Sequence, residues 1–317
     1  MKKVVIVTLA AVLFAFSFAG LASAASYMSI ATGGTSGTYY PIGGAIASAV
    51  TKAGKIQCTA ETGNASVANT NLIATKGIEI AMVQNDITYW AVNGELMFQG
   101  KPLRNVRTVA ALYPEHVHVV ITKESGVKSI DDLKGKRVGV GAPGSGVEGD
   151  VQAIFKVAGL TYNDLRKADF LDFAATASRF KDNQIDAGFV VAGYPVAAIM
   201  DLTTTKDVAL LNFSDDFLAK LNKTYPFLVK SIIPGKTYRG IDTDTATPAV
   251  MAILITYDEV PEADVYNFTK AMFDNIADVH AAHAKGKEIT LEGALSGLTA
   301  PLHIGAEKYF KEIGMIK

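Results

Sequence analysis

The sequence predicts an α/β fold of two lobes that face each other across a cleft. Short apolar runs alternate with helical patterns, as strands separated by helices do. Strand–loop–helix junctions carrying glycines or polar caps fall in two groups, at 32–41 and 84–86, then at 141–147 and 191–195. In open α/β sheets ligands lie beyond the carboxyl ends of strands, so two such groups predict two rims of one cleft. The length of 317 residues supplies enough chain for two domains and a core that needs no covalent staples.

Residues 1–24 read as a secretory signal peptide that stands apart from the fold. Lys2 and Lys3 open it, Val4 to Phe16 is apolar apart from Thr8, Gly20 breaks the run, and Ala22-Ser23-Ala24 has the form of a cleavage site. The apolar run is too short to span a membrane. The expected location is the periplasm of a cell with an outer membrane. Cys58 is the only cysteine, so no intramolecular disulfide forms although an oxidising compartment permits one. The chain has 30 basic and 31 acidic side chains, and removal of Lys2 and Lys3 leaves 28 against 31. With no basic block and no basic-aromatic stripe, nucleic acid is excluded as the expected partner.

Each element follows from local pattern. Tyr27–Ala31 is a strand. Pro41–Lys52 is a helix with Ile42, Ile46 and Val50 on one face, and Pro41 suits a first turn, where its missing N–H does no harm. Ile56–Glu61 is a second strand, Ala65–Thr75 a helix and Ile78–Val83 a third strand. Gln84-Asn85-Asp86 ends that strand and can cap the helix through Tyr89 and Trp90. Arg107–Leu112 and Val117–Thr122 are extended runs separated by Pro114. Arg137–Val140 is a strand opening into Gly141–Gly146 and a helix to about Ala158. Phe173–Phe180 is helical. Ala187–Val191 is a strand ending at Ala192-Gly193-Tyr194-Pro195. Thr247–Thr256 reads as a late strand and Pro261–Lys285 as a long helix or a pair of helices. The expected organisation is a first lobe over 25–115, a second over 116–242, and a return to the first with C-terminal helices over 243–317.

The loop Thr32-Gly33-Gly34-Thr35-Ser36-Gly37-Thr38-Tyr39-Tyr40-Pro41 is the leading binding element. It offers backbone N–H groups, hydroxyls and a helix start whose field favours a carboxylate. It is no P-loop, because no lysine follows Gly37. Gly141–Gly146 is a second candidate anion site, with Ser145 and Gly146 nearest the helix start. Its formal G-x-G-x-x-G spacing is weak, because Pro143 occupies the turn. Gln84 and Asn85 can present amides to the cleft, with capping as the alternative. Tyr194 can close the opposite wall, with core packing nearly as good a reading. Asn64 can approach a ligand beside Ser66, which reads better as a cap.

Catalytic constellations are poor. Ser145 has no identifiable base, and Cys58 lies in an apolar strand as a buried thiol. His116 and His118 share a strand face without a third ligand, and His280 and His283 lie near Asp278 on a helix read as solvated. No catalytic residue, metal ligand or cofactor is assigned. The competing classes are an exported hydrolase or transferase acting on a carboxylate, and a surface protein whose clefts are incidental.

The sequence resembles the TAXI-family solute-binding receptors of TRAP transporters. The matching segments are Ile30–Pro41 with Gly43-Gly44, Glu61-Thr62-Gly63, Ser66-Val67-Ala68-Asn69, Gln84-Asn85-Asp86, Leu133–Gly141 and Pro143–Gly146. Asn64 stands where the related motif commonly has glycine. The resemblance implies a two-lobed periplasmic-binding-protein-like fold with an interlobe hinge. It implies a monomeric receptor, not an enzyme, that delivers a small organic anion or amino acid to a TRAP-type membrane permease. Glutamate, glutamine and 2-oxoglutarate are the solutes it suggests first. By that match Gly34, Thr35, Ser36 and Tyr39 lead as ligand contacts, followed by Gln84, Asn85, Ser145 and Gly146. An arginine clamp on a dicarboxylate would come from Arg137, Arg179 or Arg239.

Overall fold

The computed structural model describes residues 25–317, so the signal-peptide reading of 1–24 lies outside it. The strands are β1 (Ser26–Ala31), β2 (Ile56–Glu61), β3 (Ile80–Gln84), β4 (Val106–Thr122), β5 (Arg137–Gly139), β6 (Lys167–Asp169), β7 (Ala187–Ala192), β8 (Val208–Leu210), β9 (Val229–Ile233) and β10 (Thr245–Tyr257). The helices are α1 (Tyr39–Lys52), α2 (Ser66–Ala74), α3 (Asn85–Asn93), α4 (Gly146–Ala158), α5 (Phe173–Lys181), α6 (Ala197–Thr205), α7 (Asp215–Thr224), α8 (Glu262–Asp274), α9 (Ile276–Ala282) and α10 (Ile304–Glu312). Of the two expected forms of 261–285, a long helix or a pair, the structure has the pair, with Asn275 between α8 and α9.

The strands form one ten-stranded sheet in the order β2-β1-β3-β10-β4-β7-β5-β6, with β8 on β4 and β9 on β10. Its outer parts are parallel: β1 with β2 and β3, and β5 with β6 and β7. The two parts are joined by β4 and β10, which run antiparallel to each other. β10 pairs with β3 through Ala252–Ile255 and with β9 through Thr245–Ala249. β4 pairs with β7 through His116–Ile121. Each long strand therefore serves both lobes, which makes the β4–β10 pair the connection between them.

The sequence suggested two extended runs broken at Pro114, but β4 is continuous over 17 residues. Proline cannot donate to a ladder and is tolerated in strands at irregularities. Here Pro114 pairs with Met251, and the register shifts between Met251 and Ile253.

Each lobe has its own core. In the first, Ile42, Ile46 and Val50 of α1 pack with Met28, Ile30, Phe268 and Phe310. Each fully buried isoleucine contributes about 1.5–3 kcal/mol. A Cβ on Gly43 would lie 2.5 Å from Thr32 Cγ2, so glycine lets α1 press onto the end of β1. The second core joins Val119, Val138, Ile154, Phe155 and Phe189, and α3 adds Ile87 and Trp90 to it. Trp90 meets Tyr225 and Phe227 edge-on at 5.9 and 5.5 Å. Helix α3, which follows a strand of the first lobe, is thus packed into the core of the second. Cys58 is buried in β2, and burial pushes its thiol up to about 12.

Candidate functional site

A cavity of about 380 Å³ opens where the carboxyl ends of β1, β3 and β7 approach the starts of α1, α2, α4 and α5. Its walls include Gly33 to Tyr39, Thr62 to Ser66, Gln84, Glu115, Ser145 to Val147 and Asp172 to Ala174. The volume suits a small molecule, at the low end of ordinary ligand pockets.

Most sequence-selected residues converge here. Gly34, Thr35, Ser36, Tyr39, Asn64, Gln84, Ser145 and Gly146 all line the cavity. Asn85 and Tyr194 do not. The Asn85 side chain donates to the Gly297 carbonyl at 2.9 Å and accepts from Met251 N–H at 3.0 Å, and its own carbonyl accepts from Thr299 Oγ1 at 2.6 Å. It ties the C-terminal segment to β10. The Tyr194 ring packs edge-on to His116 at 4.7 Å and lies 3.7 Å from Lys285 Nζ, so it turns toward the hinge strands.

The loop 33–38 reaches both lobes. Gly37 N–H donates to the Gly34 carbonyl at 3.1 Å, which closes the turn. Thr38 Oγ1 donates to the Gly193 carbonyl at 2.7 Å, and Ala198 N–H donates to the Ser36 carbonyl at 3.3 Å. On the other rim, Ala68 N–H donates to the Gly144 carbonyl at 3.0 Å.

These contacts leave the first turns of α1 and α2 without side-chain caps. Among the described residues, no protein acceptor engages the N–H groups of Tyr39, Tyr40, Ser66 or Val67. Such orphan donors at aligned helix starts favour an anion. Ala65, which precedes α2, has φ 62° and ψ −150°, a region occupied almost only by glycine. That strained turn holds the α2 start against the cavity.

Among the described residues, the cavity wall contains no Lys, Arg or His, and its titratable groups are Tyr39, Glu115 and Asp172. The proposed arginines lie elsewhere. Arg137 pairs with Asp186 at 2.5 Å, Arg179 donates to Gln184, and Arg239 is exposed. Sequence reasoning missed Glu115. Tyr39 Oη donates to Glu115 Oε2 at 2.6 Å. Burial lifts the Glu115 carboxyl to about 8, opposed by the Tyr39 hydrogen bond and reinforced by Asp86. Glu115 therefore keeps its proton to higher pH than an ordinary carboxyl, which lessens its repulsion of an anion. Burial, with the Glu115 charge next, also pushes the Tyr39 phenol up. The available signal was a lone acid inside an otherwise apolar strand pattern.

The remaining candidates have structural partners. Ser145 Oγ accepts from Glu148 N–H as the cap of α4, and no imidazole lines the cavity beside it. His116 Nε2 lies 2.9 Å from Ser231 Oγ, and His118 Nε2 lies 2.9 Å from Tyr238 Oη. Burial lowers these imidazoles to about 3 and about 4, respectively. His280 and His283 were read as a solvated helix face. Both are partly buried, on the carbonyls of Ile289 and Pro195, respectively.

A family model described as the NMT1-like family matches residues 30–314, and the chain belongs to that family. A solved protein from Bordetella bronchiseptica RB50 superposes with a TM-score of 0.59 at 15% identity, over 91% of this chain and 98% of its own. The periplasmic binding protein BugD gives a TM-score of 0.57 at 10% identity, over 92% and 94%. The binding-protein component of an ABC phosphonate transporter from Pseudomonas aeruginosa gives 0.52 at 10% identity, over 82% and 79%. At these identities the likeness establishes a shared two-lobed α/β fold.

Proposed function

We propose that this member of the NMT1-like family is an extracytoplasmic receptor that captures a small carboxylate between its lobes and delivers it to a membrane transporter. The observation that carries this reading is the convergence of unpaired helix-start N–H groups on a small cavity. Its walls come from 33–39, 62–66 and Gln84 on one side and from 142–147 and 171–174 on the other, with Glu115 of β4 between them. A carboxylate there would exchange water for backbone donors. Hydrogen bonds to charged groups contribute about 1.5–3 kcal/mol each when well formed, less the costs of desolvation and ordering. Contacts from both lobes would favour the closed form.

The lobes we assign are 25–115 with 243–317, and 116–242. Gly34, Thr35, Ser36 and Tyr39 are the leading contacts, with Gln84 and Asn64 beside them. Ser145 and Gly146 form the facing wall. The sequence resemblance supports a TRAP-type permease as partner and glutamate, glutamine or 2-oxoglutarate as first solutes. The absence of a cation in the wall favours a single carboxylate on backbone donors over a dicarboxylate clamped by arginine. An amide N–H on the solute could donate to the protonated Glu115 carboxyl, which favours glutamine among these solutes.

The test is mass-spectrometric identification of the molecule retained after gentle purification, then calorimetry on refolded, ligand-free protein. Recovery of a small organic acid that binds stoichiometrically supports the reading. Turnover of that acid would favour the exported hydrolase or transferase instead.

A further inference from the structure

Beneath the cavity floor, β3 and α3 meet α4. Gln84 Nε2 donates to Asp150 Oδ2 at 2.9 Å, and Ser66 Oγ lies 3.4 Å from Gln84 Oε1. The orientation of the Gln84 amide is therefore set by Asp150. Asp86, two residues further on, is fully buried and within hydrogen-bonding reach of Asp150. Neither carboxyl oxygen of Asp86, nor Oδ1 of Asp150, receives a well-formed hydrogen bond. The nearby N–H groups of Asp86 and Ile87 oppose the effect of burial without overcoming it.

Among the described residues, no cation compensates the pair. The groups acting on it are Gln84 on β3 and Glu115 on β4, and Glu115 in turn faces Tyr39 on α1 and Tyr113 on β4. Two buried carboxylates in contact repel strongly at low dielectric. One proton between them turns the repulsion into a short, charge-assisted O–H···O⁻ bond that engages one oxygen of each carboxyl.

We infer that Asp86 and Asp150 share one proton, and that this proton holds α4 against α3 and so positions Gln84 at the cavity. As the pH rises the proton passes to solvent, leaving two carboxylates and a weakened seam. The sign follows from burial, which raises both carboxyls. The stabilisation is fully present below the ordinary carboxyl range and is lost as the pH rises through the raised values.

The chain contains its own reporter. Trp90 is the only tryptophan and lies one turn after Asp86 on α3. A Cβ on Gly149, next to Asp150, would come within 2.7 Å of Ile87 Cδ1 and 3.3 Å of Trp90 Cζ3. The indole therefore sits in the seam.

The experiment is a tryptophan-fluorescence pH titration of ligand-free wild type, Glu115→Gln and Asp150→Asn. The expected result is a transition at least about two pH units above an ordinary carboxyl in wild type and Glu115→Gln, and one moved toward the ordinary carboxyl range in Asp150→Asn, whose amide donates to Asp86 without a proton. A flat wild-type curve overturns the inference, as does a transition left unmoved in Asp150→Asn. If Asp150→Asn does not fold, infrared spectra of Glu115→Gln decide. A protonated-carboxyl band at neutral pH that vanishes in alkali supports the shared proton, and no band overturns it. The role of Gln84 rests on the proposed function and is read separately. L-glutamate affinity of Glu115→Gln should weaken about tenfold across its fluorescence transition, and an affinity constant across it removes the positioning role. Failure of L-glutamate to bind at any pH counts against the proposed solute, while the fluorescence still decides the proton.

Discussion

The two glycine junctions that face the cavity look alike in sequence and differ in where their own side chains turn. At 141–147 the loop is tied to its own helix. Ser145 Oγ accepts from Glu148 N–H, Glu148 Oε2 accepts from Gly144 N–H at 3.2 Å, and Ser145 N–H donates to the Ala142 carbonyl. At 32–41 the Thr38 hydroxyl reaches across to Gly193 instead of capping α1. The N–H groups of Tyr39 and Tyr40 in α1 have no acceptor among the described residues, and neither do those of Gly146 and Val147 in α4; the junctions differ in that the second turns its side chains to its own helix. Under the proposed function the first junction receives the anion and the second is the wall it faces.

Substitutions can break this contrast. The largest effect should come from Gly146→Ala, whose Cβ would lie 1.4 Å from Gln84 Oε1. Overpacking of this kind costs about 1–3 kcal/mol, and calorimetry should show solute affinity reduced about a hundredfold with the displaced amide. Gly34→Ala meets nothing within 4 Å, so its melting temperature should stay at the wild-type value. Equal damage from both would erase the distinction between wall and receiver.

Tyr39→Phe removes the donor to Glu115 Oε2 and should weaken solute binding by about tenfold, the value of roughly 1.4 kcal/mol. The fold should survive, as judged by circular dichroism. Removing that hydrogen bond also raises the Glu115 carboxyl further, because the bond favours its charged form.

The pH dependence sharpens the same point. Glu115 is raised to about 8, so anion affinity should hold below that value and fall as Glu115 ionises, by up to about tenfold per pH unit above it. Glu115→Gln should flatten the part of the profile due to this group.

Ser145→Ala should have the smallest effect on binding. Loss of the cap costs about 0.5–2 kcal/mol of stability, visible in denaturant melts, while solute affinity changes by less than about threefold. A loss of affinity as large as that of Tyr39→Phe would make the second junction a binding element after all.

Much of the architecture was legible from the chain. The spacing of Ile42, Ile46 and Val50 gave α1, and the alternation of apolar runs with helices gave the two-lobed α/β plan. The loop residues 34–39 could be placed at a cavity because β1 ends where the glycines begin. The reading failed where partners are distant in sequence. Pro114 looked like a break because the register shift that accommodates it is a property of β10. Asn85 looked like a ligand amide because nothing local reveals Gly297, Met251 and Thr299 as its partners. Asp150 carried a usable signal. It lies on the stripe of Val147, Val151 and Ile154, where a carboxyl must find a buried partner.

The most direct measurement is a crystal structure of the protein with its retained solute. The account predicts a small acid in this cavity, its carboxylate on N–H groups at the starts of α1 and α2, and no arginine or lysine in contact. A solute bound outside the cavity, or a carboxylate held there by an arginine side chain, would contradict it.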